Sequence, residues 1–299
     1  MLARVYLLIT VVIWGWTFVA SKICLQYLTP AELLSARFLM ALPFMLLVAW
    51  SRRTSLHIER RHFRTVAIAA VLFIIHFVTQ TIGLVHTSAT NTAWLVAVSP
   101  LAMAVLAYLI LRERIGHATI AGIAVATAGV LLLVSRGDLA NVDWLSRVGD
   151  WLALVSAFTW ALYTIATRDL SRAYPPMAIT VLMMIPAAFL LTGYVLMTSG
   201  FGAVARMSTE AVVALVFLGI IGMAMAHWFW LEGVARIGAA RAGVFLYVEP
   251  LATTALAVPY LGEEFGWYGA AGATLVLAGV FYAARNGNQK PPSHKEPAS

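Results

Sequence analysis

Ten runs of mostly apolar residues, each about twenty long, follow one another along this chain with only short polar breaks between them. A hydrocarbon layer about 30 Å thick is crossed by about 20 apolar residues in a helix. Inside it every backbone N–H and C=O must find a partner within the protein, which leaves helices and closed barrels. Continuous runs of this length predict helices, because barrel strands are shorter and alternate in polarity. The expected spans are about 4 to 22, 31 to 50, 65 to 85, 90 to 111, 117 to 135, 150 to 168, 177 to 198, 210 to 231, 240 to 261 and 267 to 284. The fold class is therefore all-α integral membrane, with ten transmembrane helices in a lipid bilayer. Composition agrees: 11% of residues are charged, where a soluble domain carries roughly 25%.

The first run is long, contains Trp14 and Trp16, and lacks a small-residue cleavage site, so it is expected to be a retained helix. The stretch 285–299 is polar and proline-containing and is expected to be a disordered cytoplasmic tail.

A formal charge of +7 raises the possibility of a nucleic-acid partner, but the bases sit between spans, where Lys and Arg mark the cytoplasmic side. With the N-terminus inside, the inner segments hold Arg4, Arg52, Arg53, Arg60, Arg61, Arg64, Arg112, Arg114, Arg168, Arg172, Arg236, Arg241, Arg285, Lys290 and Lys295. The outer segments hold Lys22, Arg136, Arg147 and Arg206. Fifteen against four places both termini in the cytoplasm, and no nucleic acid is expected. Cys24 is the single cysteine, so a disulfide or thiolate cluster within the chain is excluded, and no cofactor or metal site is expected.

The chain also resembles itself. A shift of 150 lays 89–116 on 239–266, bringing Pro100 onto Pro250, Glu113 onto Glu263, Gly116 onto Gly266, Gly122 onto Gly272 and Gly129 onto Gly279. Roughly a third of positions 83–130 match their partners. A shift of 146 brings Trp14 onto Trp160, Lys22 onto Arg168 and Pro30 onto Pro176. Each half, 1–135 and 150–284, thus holds five spans. An odd number inverts the second copy, an arrangement that lets two halves rock around a central site.

Two five-helix repeats, each with a proline in its fourth span followed by the acidic turn "RER" or "GEE", together with the opening "VIWGWTFVASK", resemble the EamA branch of the drug/metabolite transporter superfamily over residues 5 to 284. The resemblance implies a ten-helix bacterial inner-membrane carrier that exports small metabolites, amino acids among them. It also implies a central cavity lined by spans one, three, four, six, eight and nine.

Polar side chains at membrane depth are costly and are functional candidates. Of thirteen acids, Glu249 alone lies near the midpoint of a span. His76 and Gln80, four apart, share a helix face; their partners by the 150 shift are Ala226 and Trp230, with His227 adjacent. Asn91 and Trp94 start a stripe on span four, and Tyr247 and Glu249 lie beside the matching stripe on span nine. Trp14 and Trp160 are positioned to face one another from spans one and six. These ten residues, Trp14, His76, Gln80, Asn91, Trp94, Trp160, His227, Trp230, Tyr247 and Glu249, are the expected substrate-binding set. Each side chain also has a structural reading: tryptophan belongs to the interfacial belt, as expected for Trp50, Trp144, Trp151 and Trp267, and histidine bonds a neighbouring helix. Arg37, two turns into span two, is expected to snorkel to the outer face, and Arg241 to lie on the cytoplasmic rim. The paired glycines of spans five and ten are assigned to close helix packing.

Pro100 and Pro250 free the carbonyls of Val96 and Leu246 and are the expected hinges. The leading reading is an exporter of amino acids, aromatic or hydrophobic ones favoured, working as a monomer or weak homodimer. In it Gln80, Asn91 and His76 meet a carboxylate and Glu249 an ammonium. Facilitated diffusion is favoured over proton antiport, since a proton relay usually recruits several groups. Carriage of phosphorylated sugars ranks low because no midplane Lys or Arg is identified. An intramembrane enzyme lacks a motif such as HExxH or GxSxG. The alternatives are a proton-coupled transporter of other small metabolites or drugs and, after it, a membrane-embedded sensor or channel.

Overall fold

The computed structural model describes residues 2–112, 116–135, 137–138, 148–264 and 266–286. The expectations for Glu113, Trp144 and the tail beyond Asn286 lie outside the described residues. Thirteen α-helices and no strands occur among the described residues.

The first four helices are α1 (Leu2–Cys24), α2 (Pro30–Ser51), α3 (Phe63–His86) and α4 (Ala89–Val96). α5 (Ser99–Leu111), α6 (His117–Val134), α7 (Val148–Ala173), α8 (Pro176–Met197) and α9 (Thr209–Val216) follow. α10 (Ala226–Ile237), α11 (Ala239–Gly243), α12 (Glu249–Leu261) and α13 (Trp267–Asn286) complete the chain. Among the described residues eight segments are long and apolar enough to cross a membrane; the span that joins α4 to α5 runs Ala89–Ile110, and that from α9 to α10 runs Thr209–Ile237. Helices α6 and α13 fill the places of the fifth and tenth expected spans, α6 with a shorter apolar stretch, Ile120–Leu132.

Starts and stops follow local chemistry. Thr29 and Glu32 form a capping box at α2, Thr29 Oγ1 accepting from the Glu32 amide and the Glu32 carboxylate accepting from the Thr29 amide at 2.8 Å. Ser88 and Ser208 cap α4 and α9 in the same way, through the amides of Asn91 and Ala211. Gly238 ends α10 at φ 88° and Gly262 ends α12 at φ 68°, conformations that cost a side-chain-bearing residue more than glycine.

Three expected spans are not continuous α-helices. Span four breaks between Val96 and Ser99, and Pro100 sits in the first turn of the new helix α5. Span nine runs from α11 through a 3-10 stretch, Val244–Val248, before Pro250 occupies the first turn of α12. A proline lacks the N–H that the helix interior needs but fits the first turn, where that N–H is unpaired anyway. Span eight contains a π-helical stretch, Phe217–Met225, between α9 and α10. Its glycines admit neighbours: a Cβ on Gly219 would lie 2.7 Å from Met40 Cβ, and one on Gly222 2.6 Å from Thr17 Cγ2.

The packing is reciprocal. α2 lies on α8 and α6 on α13; α3 lies on α7 as α10 lies on α1; α1 lies on α12 as α7 lies on α4 and α5. A Cβ on Gly129 would meet Gly272 O at 2.6 Å, and one on Gly279 would meet Gly122 O at 2.5 Å, so α6 and α13 touch backbone to backbone. Outward faces carry large apolar side chains such as Leu47, Leu109, Phe189, Leu196 and Phe281. Trp50, Trp151 and Trp267 are exposed near helix ends, where a tryptophan belt would sit.

Candidate functional site

At the centre of the bundle is a cavity of about 30 Å³. It holds a water molecule or two, whereas small-molecule sites run to about 300–1,000 Å³. A metabolite therefore does not fit unless side chains move aside.

The aromatic wall comes from four helices. Trp14 of α1 meets Trp160 of α7 edge to face, ring centroids 5.0 Å apart at 89°. His227 of α10 stands 4.9 Å from Trp14, and His76 of α3 stands 4.9 Å from Trp160. Phe77 closes the base against His76 at 4.8 Å. Polar tethers fix these rings. Trp14 Nε1 donates to Gly222 O in the π-helical stretch at 3.1 Å. His76 Nδ1 bonds Ser156 O at 2.9 Å, and His227 Nδ1 bonds Met223 O at 2.8 Å. A carbonyl only accepts, so both Nδ1 atoms carry hydrogen, and each neutral ring keeps Nε2 as an acceptor.

An acidic and a basic side chain face the cavity. Glu249, at the start of α12, is 5% exposed. Arg37 of α2 is 4% exposed, with its guanidinium carbon 5.5 Å from the centre of the Phe77 ring. Neither side chain has a hydrogen-bond or ion-pair partner among the described residues, and Arg37 Nε is buried without one. Arg37 thus does not snorkel outward. Its Cα lies only two turns into α2, but its face of the helix points to the bundle centre, and the premise that no cation lies at this depth falls with that reading.

Six of the ten expected residues line the cavity: Trp14, His76, Gln80, Trp160, His227 and Glu249. Thr17, Arg37, Phe77, Val96 and Leu246 complete it. The other four stand elsewhere. Trp230 lies behind the wall, 5.3 Å from Trp14. Trp94 and Tyr247 pack in a separate core with Ala126, Val130 and Val276, and Tyr247 Oη bonds Thr127 Oγ1 at 3.1 Å. Asn91 sits at the start of α4, where its Nδ2 donates to Thr87 Oγ1 at 2.8 Å and Asp150 Oδ1 at 2.7 Å. The stripe on span four therefore turns toward α6 and α7 instead of the cavity.

The freed carbonyls are satisfied locally. Ser99 Oγ donates to Val96 O at 2.7 Å, and the Glu249 amide donates to Leu246 O. Ser99 and Glu249 are aligned by the 150-residue shift, and of the two Glu249 alone lines the cavity.

The sequence reading also passed over Glu263. Its carboxylate accepts from the amides of Ala89 at 2.9 Å and Thr90 at 3.0 Å, which ties the α12–α13 turn to the start of α4. An acid there pairs with the positive end of the helix; its place in a turn gave no sign of a partner 174 residues away.

Helices of membrane length around a buried cavity that joins aromatic rings to an arginine and an acid fit a multi-pass membrane transport protein. The chain belongs to the EamA-like transporter family, whose family model matches residues 1–135 and again 147–285. It is 29% identical over 286 residues to an uncharacterized transporter of Archaeoglobus fulgidus, covering 95% of this chain and 97% of that one. It is 27% identical to a probable amino-acid metabolite efflux pump of Salmonella typhimurium, covering 92% of each chain. A probable terminal-alkyne amino-acid exporter of Streptantibioticus cattleyicolor is 30% identical over 204 residues, 68% of this chain and 66% of that one. A solved crystal structure has the same fold, with a TM-score of 0.77 at 18% identity and coverage of 95% of this chain and 96% of that one.

Proposed function

We propose that this protein exports amino acids, aromatic or hydrophobic ones preferred, across a bacterial inner membrane. It spans the membrane ten times, with both termini in the cytoplasm, and works by alternating access between two inverted five-helix halves. The observation that carries the reading is the central cavity, where Trp14, Trp160, His76 and His227 surround a site that also presents Glu249. An apolar side chain would stack on the rings, and a carboxylate would pair with an ammonium group. The relatives named as amino-acid exporters support the substrate class. The reciprocal packing of the helices supports the inverted repeat, and the excess of inner Lys and Arg supports the orientation.

Facilitated movement down a gradient is favoured over obligatory proton antiport. Glu249 is the only acidic residue on the cavity wall among the described residues, and both histidines are tethered to backbone carbonyls. The test is efflux from liposomes containing the purified protein and loaded with a panel of amino acids, sugars and phosphorylated sugars. Saturable efflux of phenylalanine, tryptophan or leucine that persists when a protonophore collapses the pH gradient is expected. A panel in which no amino acid leaves faster than from protein-free liposomes would remove the reading.

A further inference from the structure

We infer that Arg37 is the anchor for a substrate carboxylate and that, with Glu249, it makes the cavity a bipolar site for zwitterions. This deepens the amino-acid reading and rests on it for the ammonium half alone.

A lone buried cation is expensive. Taking a charge out of water costs several kcal/mol unless it is paired and hydrogen-bonded, and arginine stays protonated in proteins. Yet Arg37 is buried, its Nε has no partner, and its closest charge-stabilising contact among the described residues is the face of Phe77. A structural arginine would be expected to have drawn a carboxylate or carbonyl to itself. Glu249 lines the same cavity and is likewise unpaired, and the two do not bond one another. A guanidinium and a carboxyl group on one cavity wall that do not bond one another leave room for a ligand that supplies the complement of each.

The guanidinium presents a planar fork of N–H donors that fits both oxygens of a carboxylate. A phosphate dianion would gain one arginine but meet the Glu249 carboxylate, so a phosphorylated ligand fits poorly. Ligand with net charge near zero and both signs within reach fits best, and an α-amino acid has that form. His76 and Gln80, first taken as carboxylate ligands, flank the site instead as neutral hydrogen-bonding groups.

The test is binding to detergent-solubilised protein, read by tryptophan fluorescence. Four probes are used: L-phenylalanine, its methyl ester, 3-phenylpropionate and phenylethylamine. Wild type is expected to bind L-phenylalanine more tightly than the ester or the amine. In Arg37→Gln the affinity for L-phenylalanine and 3-phenylpropionate should fall about tenfold to a hundredfold, the worth of charge-assisted bonds, while the ester and amine change less than about twofold on the same reasoning. Arg37→Lys, with the charge but not the fork, should fall between. The melting temperature of Arg37→Gln should rise, because an unpaired buried charge is removed; a structural arginine would give a fall. Equal binding of acid and ester by wild type, or equal loss of all four probes in Arg37→Gln, would overturn the assignment and leave amino-acid export standing. Arginine-dependent binding of 3-phenylpropionate without binding of L-phenylalanine would keep the anchor and remove the amino-acid reading. A wild type that binds neither carboxylate would remove both.

Discussion

Trp14 and Trp160, aligned by a shift of 146 in the sequence, meet at 5.0 Å on the wall of one cavity. Their encounter was legible because a repeat shift of 146 aligned them and both lie at depth. Glu249 was legible for a related reason: a carboxylate in mid-span is rare enough to single itself out. If it binds an ammonium, Glu249→Gln should raise the KM for an amino acid about tenfold or more, the loss of a charge-assisted bond. The variant should keep the wild-type ratio of efflux rates above and below neutral pH, as liposome efflux will show; a pH dependence present in wild type and abolished in the variant would make Glu249 a proton carrier. Arg37 was not legible. Distance from a helix end is written in the sequence, but the direction a side chain takes from that point depends on the rotation of α2 about its axis, which packing against α8 and the π-helical stretch decides. Trp94 and Tyr247 failed for the same reason: each lies on a cavity-lining span but faces the core shared with α6 and α13.

Helix places follow from apolar runs, and eight of the described segments are long and apolar enough to cross a membrane. Breaks within spans were only half written. Pro100 and Pro250 announced an interruption, but the expected kink in mid-helix became the start of a new helix, with Ser99 Oγ and the Glu249 amide taking the freed carbonyls. The π-helical stretch had no proline to announce it; Gly219 and Gly222 mark it only once Met40 and Thr17 are seen pressing into their places. The link from Glu263 to the start of α4 belongs to this scale as well. Glu263→Ala leaves two first-turn amides without their charged partner, and a stability loss of about 0.5–2 kcal/mol is expected. Thermal unfolding in detergent should show a lower melting temperature; an unchanged one would mean that water replaces the carboxylate without cost.

Across the whole molecule, helix contacts recur in reciprocal pairs: α3 on α7 answers α10 on α1, and Gly129 and Gly279 approach the backbone at Gly272 and Gly122. Recurrent glycines in spans five and ten marked close packing in the sequence, since small residues allow such approach in lipid, but not that the two helices pack on each other. The state of the cavity was not written there. At about 30 Å³ it is too small for a metabolite, and no sequence pattern announces that volume.

Alternating access around this cavity is the central claim, and one residue on its wall can report it. Thr17 lines the cavity beside Trp14, and Cys24 is the chain's single cysteine, so Cys24→Ser with Thr17→Cys leaves one thiol at the site. In oriented vesicles the rate of its reaction with a membrane-impermeant maleimide should be measurable from either face, and saturating phenylalanine should slow both reactions. Reaction from one face only, or rates that phenylalanine leaves untouched from both, would contradict it.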